Sequence, residues 1–170
     1  MAAWLAGCSM APRSYTLSQQ ELQAMVAKSF PREYPLLGLV TMEVYAPTLK
    51  LLPDTNRINA TMTAKLSGKV LPQTYDGGMD LDFALRYNAQ DHSLHATEVK
   101  VNSLMMTGLP DSISGMLHAY APRAAEQAMD NVVLHRLRDE DLAKLKNLER
   151  APATFTVTQN GLRIDFVESK

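Results

Sequence analysis

His92 and His95 stand three residues apart beside Asp91, and these are side-chain types that can share a metal ion. Chelation needs imidazoles that converge. On a turn leading into a strand, residues three apart point to opposite faces, so this pair is not placed to chelate. Asp76, Asp80 and Asp82 offer the oxygens that calcium takes, but Gly77 and Gly78 stand at the wrong offsets for an EF-hand loop. Asp80 and Asp82 instead share the polar face of an alternating segment. His118 and His135 fall about five turns apart on a predicted helix, where a solvent-edge position is expected. Asn59-Ala60-Thr61 matches a glycosylation sequon but lies mid-strand. The sequence holds no nucleophile elbow, phosphate-binding loop, dinucleotide fingerprint or zinc-protease helix. No catalytic residue, metal or cofactor is assigned, and the chain is expected not to be an enzyme.

The one cysteine, Cys8, closes the run Leu5-Ala6-Gly7-Cys8. That tetrad resembles the lipobox of bacterial lipoproteins, in which the leader is cut before the cysteine and the cysteine then carries acyl chains. Each buried methylene contributes roughly 0.8 kcal/mol, and stable anchoring takes more than one chain. The resemblance implies that residues 1–7 are the remnant of a signal peptide and that 8–14 form an anchor and tether. Ser9, in place of an aspartate, implies export to the outer membrane with the body facing the periplasm. The membrane is then a partner through acyl chains on Cys8.

Composition narrows the classes further. A length of 170 residues suits one domain, here 15–170, with a core of its own. A net charge of −1 leaves no electrostatic footprint for nucleic acid. After Cys8 no apolar run approaches the roughly 20 residues that a membrane-spanning helix needs. Methionine is the outlier, ten copies against four phenylalanines, and it suits an interior that adapts to variable apolar partners.

The elements that would position any site follow from periodicity. Tyr15-Thr16-Leu17 reads as a short strand. Ser18 and Glu21 form a capping box, opening a helix with Leu22, Met25 and Val26 on one face and Pro31 and Pro35 to end it. Alternation then takes over. Val40, Met42 and Val44 mark a first long strand, and Pro47 shifts the phase to Leu49 and Leu51. Ile58 through Leu66 to Val70 mark a second, and Asp76-Gly77-Gly78 is expected to turn. Met79 to Tyr87 mark a third. Leu94 to Met106 mark a fourth, with a bulge where the phase slips. Ile113, Met116, Leu117, Tyr120, Ala124, Ala128 and Val132 recur at helical spacing around Pro122, which predicts a long helix kinked at the proline. A shorter helix is expected over 139–150, and Asn160-Gly161 predicts a closing hairpin.

The order of these elements, with Tyr15 to Glu21, the strand from Ile58 to Leu66 and the helix around Pro122, resembles the YceB-like family of small bacterial lipoproteins. That family is similar in build to the tubular lipid-binding superfamily typified by the bactericidal/permeability-increasing protein. The resemblance implies an α+β fold. A long curved antiparallel β-sheet would wrap a long, proline-kinked helix, with an N-terminal helix and a C-terminal hairpin. It also implies an apolar groove for lipid or fatty acid. The inward faces nominate Val40, Met42, Val44, Met62, Leu66, Leu81, Phe83, Leu85, Met116 and Tyr120 as its lining. The expected function is a membrane-anchored periplasmic lipoprotein that binds an apolar ligand. A non-enzymatic scaffold with a closed core is the alternative, because a packed interior gives the same periodicity.

Overall fold

The computed structural model of the chain describes residues 14–36, 38–136, 138 and 150–168. The lipobox at Cys8 and all but the last residue of the helix expected over 139–150 lie outside them, and that last residue, Arg150, begins a strand.

Strand β1 (Ser14–Ser18) leads directly into helix α1 (Gln19–Ala27). The capping box forms as its sequence predicts. The Glu21 amide donates to Ser18 Oγ at 3.2 Å, and the Ser18 amide donates to Glu21 Oε2 at 2.8 Å. Strands β2 (Arg32–Leu36), β3 (Val40–Val44) and β4 (Thr48–Leu52) follow, then β5 (Arg57–Ser67), β6 (Tyr75–Asn88) and β7 (Ser93–Met106). Helix α2 (Asp111–Met129), β8 (Val133–Arg136) and the hairpin β9 (Arg150–Val157) and β10 (Gly161–Glu168) complete the order.

All pairings are antiparallel. One sheet runs β2-β3-β5-β6-β7-β8, with β4 on the same edge of β5 as β3, and a second runs β1-β10-β9. Pro47 explains the shared edge, since it breaks the chain between β3 and β4 and resets the apolar phase, as the sequence predicts. The large sheet curls into a half-barrel. Register shifts at Asp80/Leu81 and Asp82/Ala84 curve it, and Glu98 on β7 adopts a left-handed φ of 53° there. The inner face is alternating and apolar: Ile58, Ala60, Met62, Ala64 and Leu66 of β5 are all buried. Asn56 stitches the two sheets, accepting from the Val157 amide at 2.7 Å and donating to the Phe155 carbonyl at 3.1 Å.

The expected α+β fold is overturned. The chain is mostly β, and no long kinked helix is wrapped by the sheet. Among the described residues the α-helices are α1 and α2, of nine and 19 residues. Helix α2 continues through Pro122, packs along β7 and reaches β2. It buries only the stripe Leu117, Ala121, Ala125 and Met129. A helix enclosed by a sheet is apolar all round; this one is apolar on one narrow face. The helical period also does not run on to Val132. Asn131 takes a left-handed φ of 61°, and the chain turns into β8 with His135 in that strand.

Two further expectations change. Asp76-Gly77-Gly78 is not a turn but the start of β6, with Gly77 opposite Ala64. A Cβ on Gly77 would stand 2.0 Å from the Met105 carbonyl oxygen, so the glycine serves a close strand approach. The turn falls instead at residues 68–74, which leaves Val70 exposed and beyond the end of β5. Strand β2 was not expected where Pro31 and Pro35 cluster. It pairs only with β3, and an edge strand tolerates a residue that lacks an amide proton.

Candidate functional site

Two alanines sit beside a space in the curled sheet. Ala60 of β5 and Ala96 of β7 are small residues set among larger ones on the inner face. Around them lies a half-open recess of about 40 Å³. Met62, Leu81 and Phe83 of β5 and β6 form its floor together with the two alanines and Val99 of β7. Val26 of α1, Phe30 just beyond it, Tyr34 of β2 and Pro47 form one wall, and Met129, Val132 and Leu134 form the other. Apart from the Tyr34 hydroxyl, these side chains present hydrocarbon or thioether. The recess has room for about three water-sized spheres and little attraction for water.

The walls are fixed by polar ties outside the recess. Gln23 of α1 donates to the Pro47 carbonyl at 2.5 Å and accepts from the Leu49 amide at 2.8 Å. Ser29 Oγ donates to the Leu134 carbonyl at 2.7 Å. Arg32 bridges the two walls. Its Nε donates to the Ser29 carbonyl at 2.7 Å and its Nη2 to the Val133 carbonyl at 2.8 Å. The guanidinium carbon lies 5.9 Å from the centre of the Phe30 ring. Burial pushes the Tyr34 phenol up, and the neighbouring Arg32 charge offsets part of that rise.

Three of the ten residues nominated from the sequence line this recess: Met62, Leu81 and Phe83. Val40, Met42, Val44 and Leu66 are buried in the core beside it, and Leu85 is half-buried against that core. Met116 and Tyr120 are exposed on α2, at 39% and 61%. The wall residues Phe30, Tyr34, Met129, Val132 and Leu134 were not nominated. Val26 was legible on the apolar face of α1. The others come from segments whose strand or helix phase becomes visible only once β2 and β8 are known.

The chemistry-bearing residues sit elsewhere. Ser93, with no exposed surface, donates to Asp91 Oδ1 at 2.5 Å and lies 2.6 Å from His95 Nε2. His95 Nδ1 faces the Asn131 carbonyl at 2.8 Å. A nucleophilic triad places the imidazole between serine and carboxylate. Here the serine is in the middle and its single proton is held by Asp91, so the group ties β7 to the α2–β8 connection. That hydrogen bond from Ser93 holds the Asp91 carboxyl below the usual range. His92 turns away and meets the Tyr87 hydroxyl at 2.7 Å, so the two histidines do not converge.

On the outer face of the sheet, Asp80 and Asp82 lie side by side. Asn59 donates to both carboxylates at 3.0 and 2.8 Å, and Asn102 to both at 2.8 and 3.0 Å. Thr61 adds a hydrogen bond to Asp80 at 3.1 Å. Burial raises the Asp80 pKa, but these amide and hydroxyl donors outweigh it and hold the carboxyl low.

No family model matches the chain, and no curated protein matches it, so the resemblance to YceB-like lipoproteins finds no support there. Among solved structures it is similar to a lipopolysaccharide binding protein, at a TM-score of 0.33 and 8% identity over 92% of this chain. The chain spans 41% of that protein's length. Among the described residues, no helix is long and apolar enough to cross a membrane.

Proposed function

We propose that this chain is a non-enzymatic envelope lipoprotein that holds an apolar ligand in the recess between its curled sheet, α1 and β8. The observation that carries the reading is the recess itself: half-open, walled by hydrocarbon and bounded by two flexible methionines, Met62 and Met129. Unbranched thioether side chains yield readily to an entering alkyl chain. The run Leu5-Ala6-Gly7-Cys8 supports a lipid anchor at Cys8 and a periplasmic position at the outer membrane.

A specific observation favours a second reading. Pockets for drug-sized ligands run to about 300–1,000 Å³, far above the roughly 40 Å³ open here. A lipoprotein whose core stays closed, and which serves as a scaffold, fits that figure. Native mass spectrometry of the chain purified without detergent separates the two. An adduct with the mass of a fatty acid or phospholipid, lost when Phe83 is replaced by Asp in a folded variant, supports the ligand reading. A clean apo mass that persists after incubation with lipids selects the scaffold. Anchoring is tested separately. Cys8→Ser is expected to move the protein from the membrane fraction to the soluble periplasm, and an unchanged distribution removes Cys8 as the anchor.

A further inference from the structure

We propose that the recess takes a ligand with one alkyl chain and a terminal oxyanion, the tail among Phe30, Met62 and Met129 and the head on Arg32. The inference rests on the recess being a ligand site and names the chemical class that site selects.

Arg32 carries the argument. Its guanidinium lies beside two lining side chains, 5.9 Å from the Phe30 ring centre and against the Tyr34 phenol, and is fixed between carbonyls whose neighbours Phe30, Val132 and Leu134 line the recess. Those partners are neutral. Among the described residues no carboxylate forms an ion pair with it. Glu33 is next in sequence, but strand alternation sends it to the opposite face from Arg32 and Tyr34, where it is exposed. A guanidinium has five N–H donors and remains charged at any physiological pH. Two donors hold the backbone, the Tyr34 phenol engages the guanidinium as well, and the fork still keeps others to offer. A permanently charged, pre-positioned donor beside a hydrocarbon-lined recess is complementary to an amphiphile with an anionic head. The two carbonyl bonds and the Phe30 ring orient the fork before any ligand arrives, so little rotamer freedom remains to be lost on binding.

The size of the recess sets the number of chains. At about 40 Å³ it admits the end of one alkyl chain once Met62 and Met129 shift, and two chains would have to separate the walls that Arg32 and Ser29 join. Carboxylate and phosphate monoester heads share the oxyanion chemistry that the fork recognises.

The test is calorimetric titration of the full chain with dodecanoate, dodecyl phosphate and dodecanol, three ligands with the same tail. At least one anionic ligand is expected to bind about tenfold tighter than dodecanol, as a charge-assisted hydrogen bond implies. Whichever anion wins identifies the head group. Arg32→Gln should collapse that ratio toward one, and Arg32→Lys should keep part of it. The ratio is the readout, because a loosened edge would weaken all three ligands together. Equal binding of dodecanol and both anions by the native chain overturns the assignment to Arg32 and leaves the recess standing. A preference that survives in Arg32→Gln does the same. Failure of all three ligands to bind removes the recess as a ligand site and this inference with it.

Discussion

The two ends of the curled sheet are written in the same alternating code but pack differently. At one end, Met42, Val44, Leu66 and Met79 are at most 1% exposed and interlock. Register places Met42 opposite Leu66, large against large. At the other end Ala60 and Ala96 stand among Met62, Phe83 and Val99, and the recess opens there. Alternation therefore fixes which face is buried, while side-chain volume on that face decides whether it is filled. A solid core and a pocket differ by a few methyl groups.

Truncation should separate the two ends most strongly. Met42→Ala is expected to lower the unfolding free energy by about 3 kcal/mol, since it leaves a cavity in a region with no slack. Met62→Ala, at the edge of an existing space, should cost about half as much. Urea denaturation of both variants checks this, and equal losses would mean that the recess end is packed as tightly as the other.

Enlargement probes the same contrast from the opposite direction. Ala64→Leu, at a site 1% exposed in the solid end, should cost about 1–3 kcal/mol through overpacking. Ala96→Leu places its added carbons in the recess, so it should cost less than about 1 kcal/mol and block ligand uptake. A large loss at both sites would show that the recess cannot accept even three extra carbons.

Much of this contrast was legible in the sequence, and the rest was not, for identifiable reasons. The inward residues of β3, β5 and β6 could be read because alternation has a period of two and each strand is long. The capping box and the Asn160-Gly161 hairpin depend on neighbours only, and both form. Strands β2 and β8 were missed because each is short. The first carries a proline, and the second continues what looks like helical spacing up to Val132. Missing them hid Tyr34 on one wall and Leu134 on the other, and with them Arg32. The place of α2 was misjudged because Met116 and Tyr120 suggested a broad apolar face, whereas alanines at 121 and 125 form the contact.

A smaller effect compares the recess end with the Ser93 tie outside it. Ser93→Ala leaves Asp91 and His95 without their shared hydroxyl and should cost about 1–2 kcal/mol. Because this tie secures the α2–β8 connection, amide hydrogen exchange at Val132 and Leu134 should rise with it. Unchanged exchange there would confine the effect to β7.

The smallest expected effect belongs to the outer face, where polar groups replace the apolar contacts of the inner one. Asp80 is held low by Asn102, Asn59 and Thr61 against the opposing effect of burial. A carboxyl with a folded pKa below its unfolded value contributes stability that is complete above the unfolded value, about 3.9 for aspartate. That contribution is lost as pH falls through the folded value, because the folded state must then take up a proton that its amide donors oppose. Asn102→Ala removes one donor from each of Asp80 and Asp82, so the Asp80 pKa should rise toward the ordinary range. The variant should lose less stability at pH 3, below the unfolded value, than at pH 7. A urea midpoint that drops equally at both pH values would mean that Asn102 acts by packing alone. A larger drop at neutral pH identifies the amide–carboxylate bonds as what holds the outer face of these strands together.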